Sequence, residues 1–135
     1  MLLIAASAFA AGCDNSDANA ALNTAAADVA ATLTDTFTDT LTLNGARTFP
    51  FVVDNPGDVT ALVSDLAPDS LQVIGLSLGT WNGTSCQVVL SNDSAFKDQA
   101  VTGHATTRGN FCVRVFDSTG KLPQPETYII TVTHP

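Results

Sequence analysis

Large apolar residues alternate with polar residues along much of the chain, which is the pattern of half-buried β-strands. The first such segment is Phe37–Leu43, and Asn44–Gly45 after it is typical of a two-residue hairpin turn. Seven more short segments of strand character follow: Phe49–Val53, Val59–Leu66, Leu71–Leu78, Gln87–Leu90, Ala100–Ala105, Phe111–Phe116 and Thr127–Thr133. No helical periodicity occurs after Asp35. Short strands at this spacing predict an all-β fold, an antiparallel β-sandwich of about eight strands.

Turn residues separate these segments. Asp54–Gly57 and Ala67–Asp69 are predicted turns, and Gly79–Ser85 is predicted to form a loop or tight hairpin. Pro50 lies inside the second strand segment and has no N–H group to donate. Its strand is therefore expected at a sheet edge or at a bulge.

The chain begins with a short apolar run that ends at Gly12, directly before Cys13. This run resembles the apolar region of a secretory signal, and it is shorter than the roughly 20 residues that a membrane-spanning helix needs. Ala10-Ala11-Gly12-Cys13 resembles the lipobox of bacterial lipoproteins, in which the cysteine is acylated and becomes the new N-terminus. The resemblance implies a signal peptide over residues 1–12 and a lipid anchor on Cys13. The alternative is an ordinary signal peptide with a chance cysteine near its cleavage site.

Residues 13–34 are rich in Ala, Thr, Asp and Asn and contain few large apolar side chains. Low hydrophobicity with only acidic charge predicts a disordered, flexible tether. The alanines could support a short helix around residues 18–33, although an isolated helix of that length is barely stable in water. Residues 35–135 are then the folded domain, which the tether would hold away from a membrane surface.

Cys86 and Cys112 each lie beside an apolar strand segment, and polar, turn-rich sequence separates them. A redox or metal-binding pair is the alternative to a disulfide, but no C-x-x-C spacing or histidine cluster accompanies them. Export favours oxidation, so we predict a structural disulfide between the two. The sheet face on which it lies is not determined, because Phe111, Val113 and Val115 compete with Cys112 and Phe116 for the inside.

The composition excludes some classes of partner. The chain is 45% hydrophobic and 13% charged, with a net charge of -8. Its five basic residues are scattered after position 46, so no basic patch is available for nucleic acid or anionic lipid headgroups. Nothing in the sequence indicates a cofactor.

Several segments together resemble bacterial pre-peptidase C-terminal (PPC) domains. They are Phe49-x-Phe51, Pro56-Gly57-x-Val59-Thr60, Leu76-x-Leu78-Gly79-Thr80-Trp81-Asn82-Gly83-x-x-Cys86, Gly109-x-Phe111-Cys112-Val113-Arg114-Val115-Phe116-Asp117 and Tyr128-Ile129-Ile130-Thr131-Val132-Thr133-His134-Pro135. The resemblance covers roughly residues 37–135. It implies a secreted, jelly-roll-like β-sandwich that is non-catalytic and that, as in some members, binds polysaccharide or protein surfaces.

Gly75-Leu76-Ser77-Leu78-Gly79 matches the G-x-S-x-G pattern of a nucleophile elbow. That chemistry needs a strand, a sharp turn that exposes the serine, and then a helix. Thr80-Trp81-Asn82-Gly83-Thr84 cannot open a helix, and Ser77 lies inside a β pattern with leucines on both sides. We therefore interpret the motif as a buried strand and assign no catalytic residue.

Calcium is the most plausible ion, because oxygen ligands are concentrated at Asp54–Asp58 and at Asn92–Ser94 with Asp98. Neither segment fits a defined calcium loop, and Asp and Asn are the residues that turn formation alone would select. No metal site is therefore predicted.

Trp81 is the single tryptophan, and Asn82 follows it in a Gly-containing segment. An exposed Trp beside an amide would suit stacking on a sugar ring, so Trp81 and Asn82 are the candidate ligand contacts. The alternative is that the Trp packs against the sandwich, as a lone Trp in such a fold more often does.

These observations predict an exported lipoprotein of the bacterial cell envelope, periplasmic or on the cell surface. It would be attached to the membrane through its lipid anchor and would carry a non-catalytic module that binds a polysaccharide or protein. The alternative is a structural subunit of a cell-envelope or extracellular assembly that pairs through an exposed strand edge. A hydrolase is the least favoured function.

Overall fold

A computed structural model describes residues 31–135 as eight antiparallel strands, which confirms the predicted β-sandwich. The strands are β1 (Leu33–Leu41), β2 (Ala46–Val53), β3 (Gly57–Ala67), β4 (Ile74–Trp81), β5 (Cys86–Ala95), β6 (Ala100–Ala105), β7 (Gly109–Phe116) and β8 (Glu126–His134). The expected signal peptide, Cys13 and the tether up to residue 30 lie outside the described residues. None of the residues from 31 onward forms a helix long and apolar enough to cross a membrane.

The strands form two four-stranded sheets. One has the order β1-β8-β3-β6 and is here called the threonine sheet; the other has the order β2-β7-β4-β5 and is here called the disulfide sheet. Alternate residues of each strand face the other sheet, as the period of two requires. The core between the sheets is aliphatic at its centre, where Val63, Leu76, Val113, Val115, Ile130 and Val132 are fully buried. Burial of this apolar surface is the main force that holds the sheets together.

The outer face of the threonine sheet carries mostly hydroxyl groups. Every outward position in the middle of β1 is threonine, namely Thr34, Thr36, Thr38 and Thr40. The hydroxyls of Thr60 and Thr102 lie 3.0 Å apart across β3 and β6, and Ser64 is hydrogen-bonded to Thr131 across β3 and β8. Threonine suits this position because it favours strands and remains compatible with water.

Aromatic side chains close the side of the sandwich where β1 and β2 meet. The ring of Phe37 stacks on that of Phe49 with 4.9 Å between centroids, and Phe49 meets Tyr128 edge-on at 6.3 Å. Outside them the Arg47 side chain pairs with Asp39 at 3.2 Å. The edge position predicted for the Pro50 strand is confirmed, because β2 is one of the two edge strands of the disulfide sheet.

Two predicted strands have different bounds in the structure. The fourth was predicted from Leu71, but Leu71 is 72% exposed and β4 begins only at Ile74. The preceding residues form a turn in which the backbone N–H of Leu71 donates to the side chain of Asp69 and that of Gln72 to its carbonyl. At the other end β4 continues to Trp81 and β5 begins at Cys86, so the segment predicted as a loop or tight hairpin is a tight hairpin.

The fifth strand was predicted to end at Leu90, but β5 continues to Ala95. It includes Asn92–Ser94, which the sequence suggested as a turn. The pairing with β4 shifts register here, so that β5 has an extra residue, and the Asn92 side chain accepts a hydrogen bond from the Ser94 N–H at 3.0 Å. The Asn side chain thus stabilises a β-bulge inside a strand, where sequence analysis predicted a turn.

Candidate functional site

The side of the sandwich opposite the aromatic cluster contains a groove of about 260 Å³. It lies between β5 and β6, the free edge strands of the two sheets at this side. Its apolar lining is formed by Val59, Leu78, Val89, Leu90, Ala105 and Phe111. We call this cavity the β5–β6 groove, and it is the candidate binding site.

Small residues and a bulge create the β5–β6 groove. A Cβ placed on Gly103 would come 2.9 Å from Cδ1 of Leu90, so a glycine at this position keeps the space between the edge strands open. On β5 the register shifts so that Leu90 pairs with Leu78 but Val88 pairs with Gly79. Val89 is the extra residue of this bulge, which re-aims neighbouring side chains and lets Val89 and Leu90 both line the groove.

Two exposed aliphatic side chains, Val89 and Leu90, line the groove, and Val88 precedes them on β5. Val88, Val89 and Leu90 are consecutive and are 47%, 69% and 39% exposed. The other large exposed apolar residues of the described chain are separate from one another in sequence, at Leu33, Leu43, Val52 and Leu71. Single exposed apolar residues are ordinary, whereas a contiguous group beside a concave surface indicates a binding site.

Polar groups line the rest of the groove. His104 belongs to this lining, but its side chain lies on the outer face of the threonine sheet, where Nδ1 is 2.8 Å from Oδ1 of its register partner Asp58. The side chains of Thr80, Thr106 and Thr107 complete this lining. These groups can exchange hydrogen bonds with a ligand while the aliphatic wall contacts its apolar part.

The serine of the G-x-S-x-G motif lies elsewhere. Ser77 is in the middle of β4, is 1% exposed and shares a hydrogen bond of 3.0 Å with Ser91 of β5. The two histidines have other partners: His104 pairs with Asp58, and His134 with Asp35 at 2.9 Å. The interpretation of this motif as part of a buried strand is confirmed.

Trp81 and Asn82 lie at the hairpin between β4 and β5, and neither lines the groove. Trp81 is partly buried and pairs in register with Cys86. The side-chain oxygen of Asn82 accepts hydrogen bonds from the N–H groups of Thr84 and Ser85 at 2.9 and 2.8 Å. The Asn82 side chain therefore stabilises the turn, and a ligand contact at this pair stays a prediction.

The predicted disulfide between Cys86 and Cys112 is present, with a Cα–Cα separation of 5.8 Å. It joins β5 to β7, which are not neighbours, because β4 lies between them. The backbone of β5 packs directly against Gly79 of β4, because a Cβ on Gly79 would overlap the backbone carbonyl of Gln87. Cys112 faces away from the core, which Val113 and Val115 occupy. The bridge fixes the first residue of β5, the strand that contributes Val89 and Leu90 to the groove.

The segments considered for calcium contain no ligand cluster in the structure. From residue 31 onward, no group of three or more His, Cys, Asp or Glu side chains is arranged to hold a metal ion.

Sequence analysis did not identify the groove. Its only signal in the sequence is the run Val88-Val89-Leu90, which breaks the alternation expected of a half-buried strand. Gly103 and Ala105 have no distinguishing pattern, because their role depends on facing β5 across the gap between the sheets.

No family model matches the chain, and no curated protein matches it. Among solved structures it is similar to PliG of Aeromonas hydrophila, described as a periplasmic lysozyme inhibitor of g-type lysozyme. The identity is 11% and the TM-score 0.53, over 74% of this chain and 84% of that one. At this identity the likeness concerns the fold alone. The resemblance to PPC domains stays a prediction.

Proposed function

We propose that this chain is an exported bacterial lipoprotein, acylated at Cys13, whose β-sandwich binds a protein ligand without catalysing a reaction. The observation that carries the proposal is the β5–β6 groove, in whose lining Val89 and Leu90 are exposed. A PPC-like origin of the sandwich is part of the same proposal.

The proposed location is supported at two points of the chain. The segment Ala10-Ala11-Gly12-Cys13 has the form of a lipobox. The disulfide between Cys86 and Cys112 is a bond that persists in oxidising compartments such as the periplasm and the cell surface.

A protein ligand is favoured over a glycan by the chemistry of the groove. Its walls are mainly aliphatic, and Phe111, its one aromatic lining residue, is partly buried. Sugar rings are usually bound by exposed aromatic faces together with many polar groups, whereas aliphatic surface suits protein side chains. The structural neighbour PliG is described as an inhibitor of g-type lysozyme, so a g-type lysozyme is the first protein to test.

Binding can be tested by titrating g-type lysozyme onto the immobilised, mature protein and, in parallel, by measuring lysis of peptidoglycan. We expect saturable binding that Val89→Ser weakens and that Val52→Ser, an exposed valine on β2, leaves unchanged. Binding of chitin oligosaccharides that is lost in Trp81→Ala, with no binding of protein, would replace the protein ligand by a glycan.

The membrane anchor has a separate test. Intact mass of protein from the membrane fraction should show an N-terminus at Cys13 with added acyl mass, and Cys13→Ala should move the protein to the soluble fraction. An unacylated chain in the soluble fraction would contradict the anchor and leave the binding proposal in place.

A structural subunit is the second candidate, because an exposed edge strand can pair with another chain. Two bulges in β5 and the acidic charge of the chain oppose pairing between copies. Sedimentation at increasing concentration distinguishes the two functions: a binding module stays monomeric, and an assembly subunit forms larger species.

A further inference from the structure

We infer that the β5–β6 groove receives a single large apolar side chain, projected by a loop of a basic protein. This inference rests on the proposed function and specifies the surface and the chemistry of the partner. It is argued from the size of the groove, from the residues around its mouth and from the charge of the sandwich.

The size of the groove limits what can enter it. About 260 Å³ lies below the roughly 300–1,000 Å³ of pockets that enclose a whole drug-sized ligand. The lining is aliphatic at Leu78 and Val59 and polar at Thr80, Thr106 and Thr107. One large apolar side chain fits these dimensions. The backbone of the partner residue that carries it would form hydrogen bonds with the polar part of the lining.

The residues around the mouth suit a protein surface. Val89 and Leu90 line the groove and are 69% and 39% exposed, so a partner that covers them would exclude water around an inserted side chain. Addition of a strand to β5 is a less suitable mode, because the bulges at Val89 and at Asp93–Ser94 interrupt its edge. Bulges of this kind protect edge strands from pairing. A projecting side chain needs no continuous edge.

Charge indicates that the partner is basic. Of the thirteen acidic residues, only Asp14, Asp17 and Asp28 lie before residue 31, so the sandwich has ten against five basic ones. Two of these five, Arg47 and Lys97, already pair with aspartates. The preference for a basic partner rests on the net charge of the whole sandwich and not on the charge beside the groove, because the basic residue Arg108 directly follows the lining residue Thr107. A second copy would be equally acidic and would be repelled.

The test is an NMR titration of the mature chain carrying Cys13→Ser, with three capped tripeptides as probes. Lys-Trp-Lys supplies both the apolar side chain and the basic charge, Lys-Ala-Lys lacks the side chain, and Glu-Trp-Glu reverses the charge. We expect Lys-Trp-Lys to shift the amides of Leu90, Gly103 and Ala105 and to bind about tenfold more tightly than Lys-Ala-Lys. Its advantage over Glu-Trp-Glu should shrink as salt is added.

Matched variants connect the shifts to the groove. Gly103→Val places a side chain in the gap beside Leu90 and should abolish the response. Val52→Ala removes exposed apolar surface from β2 and should preserve it. Both variants should give a dispersed amide spectrum, which shows that they fold; if Gly103→Val does not, Val89→Ser serves in its place.

Several results would overturn the inference. The inference is wrong if Lys-Ala-Lys causes the same shifts as Lys-Trp-Lys, if no probe causes shifts, or if Lys-Trp-Lys binds Gly103→Val unchanged. It is also wrong if chitin oligosaccharides cause the same shifts, or if the shifts depend on protein concentration without a probe. Failure of the proposed function is separate. If lysozyme still binds to Gly103→Val, the proposed function stands and the inference about the groove is wrong. If the tripeptides give the expected response but lysozyme does not bind, the inference about the groove stands and the proposed lysozyme binding is wrong.

Discussion

The ring of Phe116 on β7 lies across Gly75 on β4, in the space where any other residue would place its Cβ. A Cβ built on Gly75 would come within 2.5 Å of Cε1 of the ring. The two residues are register partners, so the ring covers the neighbouring strand on the outer face of the disulfide sheet. The guanidinium of Arg114 lies 4.8 Å from the centre of the same ring.

Gly75→Ala should therefore destabilise the fold by forcing the ring of Phe116 away. Overpacking of this kind costs about 1–3 kcal/mol, which urea denaturation can measure. Gly109→Ala is the control, because its Cβ would lie 3.6 Å from the nearest atom of Phe111, at ordinary contact distance. If Phe116→Leu in the Gly75→Ala background does not restore part of the loss, the explanation by ring overlap is wrong.

Asp117→Asn should loosen the connections at one end of the sandwich. The Asp117 carboxylate accepts backbone hydrogen bonds from Asn44 and Gly120, both at 3.0 Å, and from Leu122 at 3.3 Å. Asparagine can accept at one side-chain atom only. Because the carboxylate is partly solvated, we expect a loss of about 1 kcal/mol in unfolding free energy at neutral pH.

The same substitution has a predicted pH dependence. Burial would raise the pKa of Asp117, but the hydrogen bonds from Asn44, Leu122, Thr119 and Gly120 outweigh burial and lower it. A lowered pKa stabilises the fold above the unfolded-state value of about 3.9, and this contribution is lost as the pH falls through the folded-state value. The difference between Asp117→Asn and the wild type should shrink in acid. Asp54→Asn, in an exposed turn, is the control for the loss at neutral pH.

Tyr128→Phe should be neutral or stabilising at pH 7. The side chain is fully buried, and its hydroxyl has no hydrogen-bond partner among the described residues. A buried hydroxyl without a partner costs free energy on folding, and phenylalanine removes it with little change in shape. Thermal unfolding of the two proteins would measure the difference, and a large loss of stability would show that the hydroxyl has a partner in solution.

Tyr128 also predicts a loss of stability in alkali. Burial, with Asp39 nearby, raises the pKa of Tyr128 above its ordinary value, and Arg47 opposes this only in part. The associated stability is present below the unfolded-state pKa of about 10 and falls as the pH rises above it. Because this is the single tyrosine of the chain, tyrosinate absorbance reports it directly. We expect ionisation to coincide with unfolding, and Tyr128→Phe to unfold at higher pH.

Removal of the disulfide should destabilise the sandwich substantially. The bridge closes a loop with a sequence separation of 26, for which chain entropy predicts about 3.5 kcal/mol. The double variant Cys86→Ala with Cys112→Ala should lose this amount in urea denaturation, and reductant should have no further effect on it. Hydrogen exchange should increase first at the start of β5. A variant as stable as the oxidised wild type would contradict this account.

Local patterns were sufficient for most strands and insufficient for β5. Ala100–Ala105 was predicted with its observed bounds because small and turn residues delimit it on both sides. Asn92–Ser94 was predicted as a turn since Asn side chains stabilise turns and bulges through the same hydrogen bond, and sequence does not distinguish the two. The predicted contact at Trp81 and the observed groove are at different places, because the groove has no continuous sequence motif.

The β-sandwich class and the partner of Cys86 were both predictable from the order of residues along the chain. Both follow from short-range properties, namely an apolar period of two, turn residues and two cysteines beside strands. In contrast, the aromatic rings that close one side of the sandwich and the groove that opens on the other become evident only in the folded chain. These outcomes depend on which strands become edges, and therefore on contacts between distant residues such as Leu90 and Gly103. Strand order arises from the packing of the whole chain, so no local pattern encodes it.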